Sequence, residues 1–227
     1  MRNQNVICII PIRSKSKSIK HKNIKMLAGF PLSVYAIKAA SNCKLFKKII
    51  IAVDNFSYKK KLQKYIFDKR VSFFKRSLNS SKDNSPTEVV ISEVLKKNSK
   101  YDHSCLIQAT SPLLKDDDII LGYKKYLNGK YDSLISGYIT KKFFWKNIKK
   151  GIKPINYNPS KRPMRQTNKG TIVENGAFYF FRTNGFFKKK NRIFGRTGVY
   201  LMDEKNSIDI DTKSDFEQAK KILNRGK

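Results

Sequence analysis

A chain of 227 residues with 40% hydrophobic content is long enough for one α/β domain and to bury roughly 70% of its unfolded surface. Two histidines and three cysteines without a CxxC spacing exclude the common zinc and disulfide scaffolds, so Cys8, Cys43 and Cys105 are expected to be reduced thiols. The net charge of +32 raises a nucleic-acid reading, but 39 of the 49 basic residues are lysines spread over every segment, and no recognition-helix cluster or RNA-binding signature accompanies them. The expectation is a positive field that collects anionic substrates, with no specific nucleic-acid partner. No apolar stretch approaches a membrane span and the amino terminus lacks a signal-peptide pattern, so a cytoplasmic protein with no membrane attachment is expected.

Apolar runs of strand length alternate with helix-period segments, which predicts a mainly parallel sheet flanked by helices. The first strand is Val6 to Ile12. Pro31 to Ala40 has helical spacing at Leu32, Tyr35, Ala36, Ala39 and Ala40, with Pro31 in the first turn. Lys48 to Val53 is a strand ending at Asp54, Tyr58 to Phe67 a helix, and Val71 to Phe74 a strand delivering Lys75 and Arg76 to a loop. Thr87 to Leu95 reads as a helix and Ser104 to Gln108 as the next strand. Asp116 to Asp118 place carboxylates on the first turn of a helix running to about Leu127, where the macrodipole favours them. Ser133 to Ile139 is a strand. Residues 141–171, rich in Lys, Asn, Pro and Arg, break the rhythm and form an excursion from a single domain spanning 1–227. Ile172 to Arg182 returns as a strand or hairpin, Gly198 to Met202 is a strand, and Ser214 with Glu217 forms a capping-box pattern opening the last helix.

The first strand opens directly into Arg13-Ser14-Lys15-Ser16-Lys17-Ser18, followed by Lys22-Asn23. Hydroxyl, amide and ammonium donors gathered at the carboxyl end of a strand suit a polyphosphate. The Walker A and GxGxxG patterns are both absent. Late in the chain, Asp209 and Asp211 alternate with Ile208 and Ile210, so a strand would put both carboxylates on one face. Such a pair fits Mg2+, which takes one or two carboxylates and completes its shell with water and substrate phosphates. A phosphate-donating loop with a late aspartate pair describes a nucleotidyltransferase better than a kinase or hydrolase.

The run Ile10 to Ser18 with Lys22-Asn23, then Gly29-Phe30-Pro31-Leu32, resembles the signature of the N-acylneuraminate cytidylyltransferases, the CMP-sialic acid synthetases. Further pieces follow in the family's order: Ala52-Val53-Asp54, Lys75-Arg76, Asp83, Leu106 to Leu113, Arg165-Gln166, Asn175 to Tyr179, and Ser207 to Thr212. The resemblance implies a Rossmann-like fold of the nucleotide-diphospho-sugar transferase type with a small dimerisation excursion. It implies a reaction in which the anomeric hydroxyl of a nine-carbon 2-keto sugar acid attacks the α-phosphate of CTP and releases pyrophosphate. Carried to matching positions, Arg13, Ser16, Lys17 and Lys22 would hold the triphosphate, and Asn23, Arg76 and Ser85 would face the cytidine. Gln108, Lys146, Arg165 and Asn175 would contact the sugar acid, and Asp209 and Asp211 would hold Mg2+. Arg13, Lys22 and Asp211 would be the catalytic set, in a homodimer joined through residues 141–171. Three departures stand out. Lys15 and Ser18 occupy positions where the family carries glycine, Leu114 stands in place of an arginine, and Val173-Glu174 in place of arginine and proline. The last leaves N-acylneuraminate, legionaminate and pseudaminate open as the sugar. The alternatives are a cytidylyltransferase for 3-deoxy-octulosonic acid and a non-catalytic nucleotide-binding protein.

Overall fold

Both faces of the first strand are apolar: Val6, Cys8, Ile10 and Ile12 point one way, Ile7 and Ile9 the other, and all are fully buried. A strand with no polar face belongs in the middle of a sheet covered on both sides. That is where the computed structural model, which describes residues 5–16 and 18–225, places it. In chain order the first half runs β1 (Val6–Ile12), β2 (Met26–Leu27), β3 (Phe30–Pro31), α1 (Leu32–Asn42), β4 (Lys48–Val53), α2 (Ser57–Gln63), β5 (Val71–Lys75), α3 (Thr87–Lys96) and β6 (His103–Ile107). The second half runs α4 (Asp116–Asn128), β7 (Ser133–Thr140), β8 (Trp145–Ile148), β9 (Gly151–Pro154), β10 (Thr171–Arg182), α5 (Thr183–Lys189), β11 (Thr197–Leu201) and α6 (Lys213–Arg225).

Seven strands form one sheet in the order β11-β7-β10-β6-β1-β4-β5. All adjacent pairs are parallel except those of β10, which runs antiparallel to both β6 and β7. The carboxyl ends of β1, β4, β5, β6 and β7 therefore share one edge of the sheet, and the amino-terminal half of β10 lies among them. On one face, residues of α1, α2 and α4 pack over the even-numbered side of β1; on the other, Val90, Ile91, Val94 and Leu95 of α3 and Phe186 of α5 cover Ile7 and Ile9. A third apolar cluster of Ile19, Leu27, Leu32, Ile210, Phe216 and Ala219 sits outside the sheet. It joins the basic loop, the start of α1, the aspartate segment and α6.

The expected elements are present with shifted ends. Pro31 precedes α1 rather than lying in its first turn, and the helix expected over Tyr58 to Phe67 is the shorter α2. The last helix opens at Lys213, with its cap at Thr212, two residues before the expected Ser214. Thr212 and Asp215 cap each other, the Asp215 carboxylate accepting from the Thr212 amide at 2.7 Å while the Thr212 hydroxyl accepts from the Asp215 amide at 3.2 Å. The Asp215 carboxylate also accepts from the Asp211 amide at 3.1 Å, so this earlier pair closes the helix start before Ser214 is reached. Ile172 to Arg182 is one long strand, not a hairpin; its pairing with β7 is interrupted between Glu174 and Tyr179, and Gly176 there takes φ 71, a left-handed value that glycine adopts without strain. The segment Ser207 to Asp211, expected as a strand, has no regular secondary structure and joins no sheet. It docks through the Ile210 amide, which donates to the Thr110 carbonyl at 2.9 Å. The excursion contains the antiparallel ribbon β8–β9. Among the described residues no helix is long and apolar enough to cross a membrane, and the three cysteines are free and buried.

Phe180 on β10 is fully buried against Tyr123 and Tyr126, with ring centroids 5.2 and 6.0 Å away. Phe180→Ala is expected to lose about 3–5 kcal/mol, the usual cost of emptying an aromatic core position, read from the midpoint of urea unfolding.

Candidate functional site

Because the parallel strands of the sheet end at one edge, the side chains that follow them converge. Arg13 follows β1, Asp54 β4, Arg76 β5 and Gln108 β6. A cleft of about 590 Å3 opens there, lined by Arg13, Ser16, Lys22, Asn23, Arg76, Ser85, Gln108, Asp209 and Asp211 among others. Nine of the sequence-predicted site residues thus meet in one place, although they come from positions 13 to 211 of the chain. The expectation for Lys17 lies outside the described residues.

Within the cleft, four buried polar atoms have no hydrogen-bond partner among the described residues: Asn23 Oδ1, Arg76 Nε, Ser85 Oγ and Asp209 Oδ1. Each such atom costs roughly 1–3 kcal/mol if left unsatisfied, so their concentration in one cleft marks a place built for a polar ligand. The Arg76 guanidinium is 6% exposed and bonds the Ser80 carbonyl. Burial, opposed by the nearby Asp54 charge, holds its pKa below the ordinary arginine value. Behind it, Glu93 of α3 accepts from the Ser80 hydroxyl at 2.8 Å and from the Ser77 hydroxyl at 2.5 Å. Burial pushes the Glu93 carboxyl up, but these serine hydrogen bonds outweigh it and hold it below the usual carboxylate range.

The aspartate pair meets a cation from the other end of the chain. Lys22 Nζ lies 2.5 Å from the Ile210 carbonyl oxygen and 3.0 Å from Asp211 Oδ1. Lys22 is 8% exposed, whereas the Asp211 side chain is 76% exposed. Burial raises the Asp209 carboxyl above its ordinary value; a hydrogen bond from Thr110 opposes this and repulsion from Asp211 adds to it. The next residue of the lysine turn, Asn23, donates from Nδ2 to the Arg13 carbonyl at 2.8 Å. The pair Lys22-Asn23 therefore ties the aspartate segment to the mouth of β1.

Beside this cleft lies a second cavity of about 410 Å3, lined by Gln108, Tyr138, Val173, Glu174, Asn175, Gly176, Tyr179, Ser207 and Asp209. Gln108 and Asp209 line both. Asn175 forms part of the wall, but its amide is engaged inside the protein: Nδ2 donates to Ser207 Oγ at 2.9 Å and Oδ1 accepts from Ser136 Oγ at 2.7 Å. It braces the aspartate segment against β10 instead of presenting a free group. Lys146 and Arg165 line neither cavity; Lys146 is exposed on β8 and Arg165 is exposed beyond the ribbon. Sequence reasoning missed Tyr138, Thr87 and Tyr179 as wall residues. The position of Thr87 at the start of a helix and of Tyr138 near the end of a parallel strand were the available signals.

No group of three or more His, Cys, Asp or Glu side chains suited to a metal occurs among the described residues. Asp209 and Asp211 nevertheless fit Mg2+, which needs only one or two carboxylates when phosphates complete its shell, and Asp209 Oδ1 is a buried acceptor without a partner. Removing that buried charge relieves both desolvation and repulsion. Asp209→Asn, measured by thermal unfolding at neutral pH with a chelator present, is expected to raise Tm by about 2–4 °C, the shift that ~1 kcal/mol gives a domain of this size.

A family model described as Cytidylyltransferase matches residues 7–226. N-acylneuraminate cytidylyltransferase A of Danio rerio is 32% identical, over 99% of this chain and 52% of that protein. Pseudaminic acid cytidylyltransferase of Campylobacter jejuni is 28% identical, over 94% of each. The chain spans about half the length of the Danio rerio relative and, at 51%, of the N-acylneuraminate cytidylyltransferase of Escherichia coli, to which it is 31% identical. Among solved structures, CMP:2-keto-3-deoxy-manno-octonic acid synthetase complexed with CTP superposes with a TM-score of 0.72 over 99% of this chain and all of that one, at 12% identity, a likeness of fold.

Proposed function

The chain belongs to the cytidylyltransferase family, and from that premise we propose that it transfers CMP from CTP to the anomeric hydroxyl of a nine-carbon, sialic-acid-like 2-keto sugar acid, releasing pyrophosphate. The observation that carries this reading is the shared wall: Gln108 and Asp209 line both the basic cleft and the neighbouring cavity, so two ligands bound there would meet at those two side chains. The cleft takes CTP. Cytosine offers a donor at N4 and acceptors at N3 and O2, and the unpartnered Asn23 Oδ1, Arg76 Nε and Ser85 Oγ supply one acceptor and two donors. Arg13, Ser16 and Lys22, with Lys17 as the resemblance implies, face the triphosphate with positive charge and hydroxyls. The second cavity takes the sugar acid.

In such a reaction the sugar hydroxyl oxygen bonds to the α-phosphorus while the bond to the bridging oxygen of pyrophosphate breaks and the hydroxyl proton leaves. Positioning and charge neutralisation supply most of the rate in phosphoryl-type transfers. Gln108 orients the incoming sugar, Lys22 and Arg13 offset charge on the phosphates, and an aspartate of the pair accepts the proton. Asp209 and Asp211 would hold Mg2+, which when bound neutralises phosphate charge. Asp211→Ala is expected to lower kcat by about 100-fold or more while CTP affinity changes far less.

The excursion supports a homodimer. Trp145, Ile148, Ile152, Ile155 and Met164 are exposed on or beside the ribbon, and Ile152 and Met164 are 59% and 68% accessible. A cluster of this kind on one projection suits burial against a second copy, which would carry Lys146 and Arg165 toward the partner's sugar cavity and give the acid carboxylate a cation. Sedimentation at micromolar concentration is expected to show a dimer, and Ile152→Asp with Ile155→Asp to give a monomer of reduced activity. Three buried free thiols suit a reducing compartment and support a cytoplasmic reaction that would supply activated sugar for surface glycans.

Pyrophosphate release from CTP and Mg2+ across N-acetylneuraminate, legionaminate, pseudaminate and 3-deoxy-octulosonate tests the whole. Release is expected with a nine-carbon acid. Release with none of the acids would reject a transferase, and release with the eight-carbon acid alone would move the assignment to the octulosonate branch.

A further inference from the structure

The loop from Arg13 to Lys22 contains no glycine. A backbone restricted in this way cannot fold freely around phosphates, so its usefulness depends on how its ends are held. At the entrance, Ser14 is bound on every polar atom it has. Its amide donates to both Asp54 oxygens at 2.9 and 3.0 Å, its hydroxyl donates to Asp54 Oδ2 at 3.0 Å, and its carbonyl accepts from the Tyr58 hydroxyl at 3.2 Å. At the exit, His21 takes a left-handed conformation, φ 54 and ψ 34, and its Nδ1 lies 3.0 Å from the same Tyr58 hydroxyl. With the hydroxyl proton donated to the Ser14 carbonyl, the tautomer that completes the bridge carries hydrogen on Nδ1 and donates. One phenol thus bridges both ends of the loop.

The bridge rests on rigid ground. Tyr58 is 2% exposed on α2 and packs in the main core, while Asp54 ends β4 next to β1. Between the two ends, Ile19 is anchored at 3% exposure in the third apolar cluster. Lys15, Ser16 and Ser18, between these fixed points, line the cleft.

We propose that Tyr58 is a positioning residue: with His21 and Asp54 it closes the glycine-free basic loop at Ser14 and His21, so that the donors between them are presented to the triphosphate. This rests on the reading of the cleft as a CTP site, and the test separates the two. Tyr58→Phe keeps the packed ring and removes only the bridge. His21→Ala removes the exit bond from a surface position, and His21→Asn keeps a side-chain N–H donor and tolerates the left-handed backbone. Two quantities are measured: CTP affinity with steady-state kinetics, and the rate of trypsin cleavage within residues 15–22 of the ligand-free protein.

Tyr58→Phe and His21→Ala are expected to raise the CTP Kd and KM about tenfold, the factor set by loss of one well-formed hydrogen bond, with a smaller fall in kcat and faster loop cleavage. His21→Asn is expected to restore both toward wild type. Unchanged CTP affinity and unchanged cleavage in both disruptive variants would overturn the proposal, as would equal damage from His21→Asn and His21→Ala. Wild-type protein that binds no CTP would overturn the cytidylyltransferase reading instead, leaving the cleavage rates to decide the bridge.

Discussion

Two carboxylates two residues apart, one of them largely buried, repel each other and resist desolvation, and a fold that contains them needs a positive partner close by. Lys22 supplies it, with its ammonium 2.5 Å from the Ile210 carbonyl and 3.0 Å from Asp211. The burial in this contact lies with the lysine, whose side chain is 10% exposed against 76% for Asp211, so losing the acid costs a buried ammonium one of its partners. The contact also fixes geometry: the residue after Lys22 holds the Arg13 carbonyl, and the residue before it holds Tyr58, so three consecutive side chains connect the end of β1, the basic loop and the aspartate segment.

The antiparallel strand β10 does comparable work at the second cavity. Its reversed direction brings Glu174 and Asn175 from its amino-terminal half to the edge where the neighbouring strands end. Pairing with β6 begins only at Phe178 and pairing with β7 is interrupted around Gly176, and the residues from Val173 to Gly176 line the second cavity. A wholly parallel sheet would have placed another loop there, and the two compartments would not share Gln108 and Asp209 so directly.

Much of this was legible in residue patterns. Alternating apolar runs gave the sheet and its helices because burial on both faces leaves a strand no polar side to show. The basic loop and the aspartates were legible because such charges are costly to gather without a ligand. Other features depended on tertiary partners that local spacing does not encode. The Thr212/Asp215 cap displaced the expected Ser214 cap by two residues. Asn175 matched a motif yet engages its amide with Ser136 and Ser207, residues 39 and 32 positions away. Tyr58 read only as the first residue of a helix, since nothing nearby in sequence marks its hydroxyl as a bridge. Lys146 and Arg165 project from the ribbon, where a single chain offers them no cavity.

The third apolar cluster has a bearing on how the protein comes into being. Ile210, Phe216 and Ala219 meet Ile19, Leu27 and Leu32 there, so the first and last parts of the chain complete one small core together. During vectorial synthesis the sheet through β10 can assemble while the aspartates are still within the ribosome, and the nascent chain then holds a basic cleft without its acidic wall. The acidic wall of the cleft is thus set by this cluster, because Ile210, which is buried in it, lies between the two aspartates.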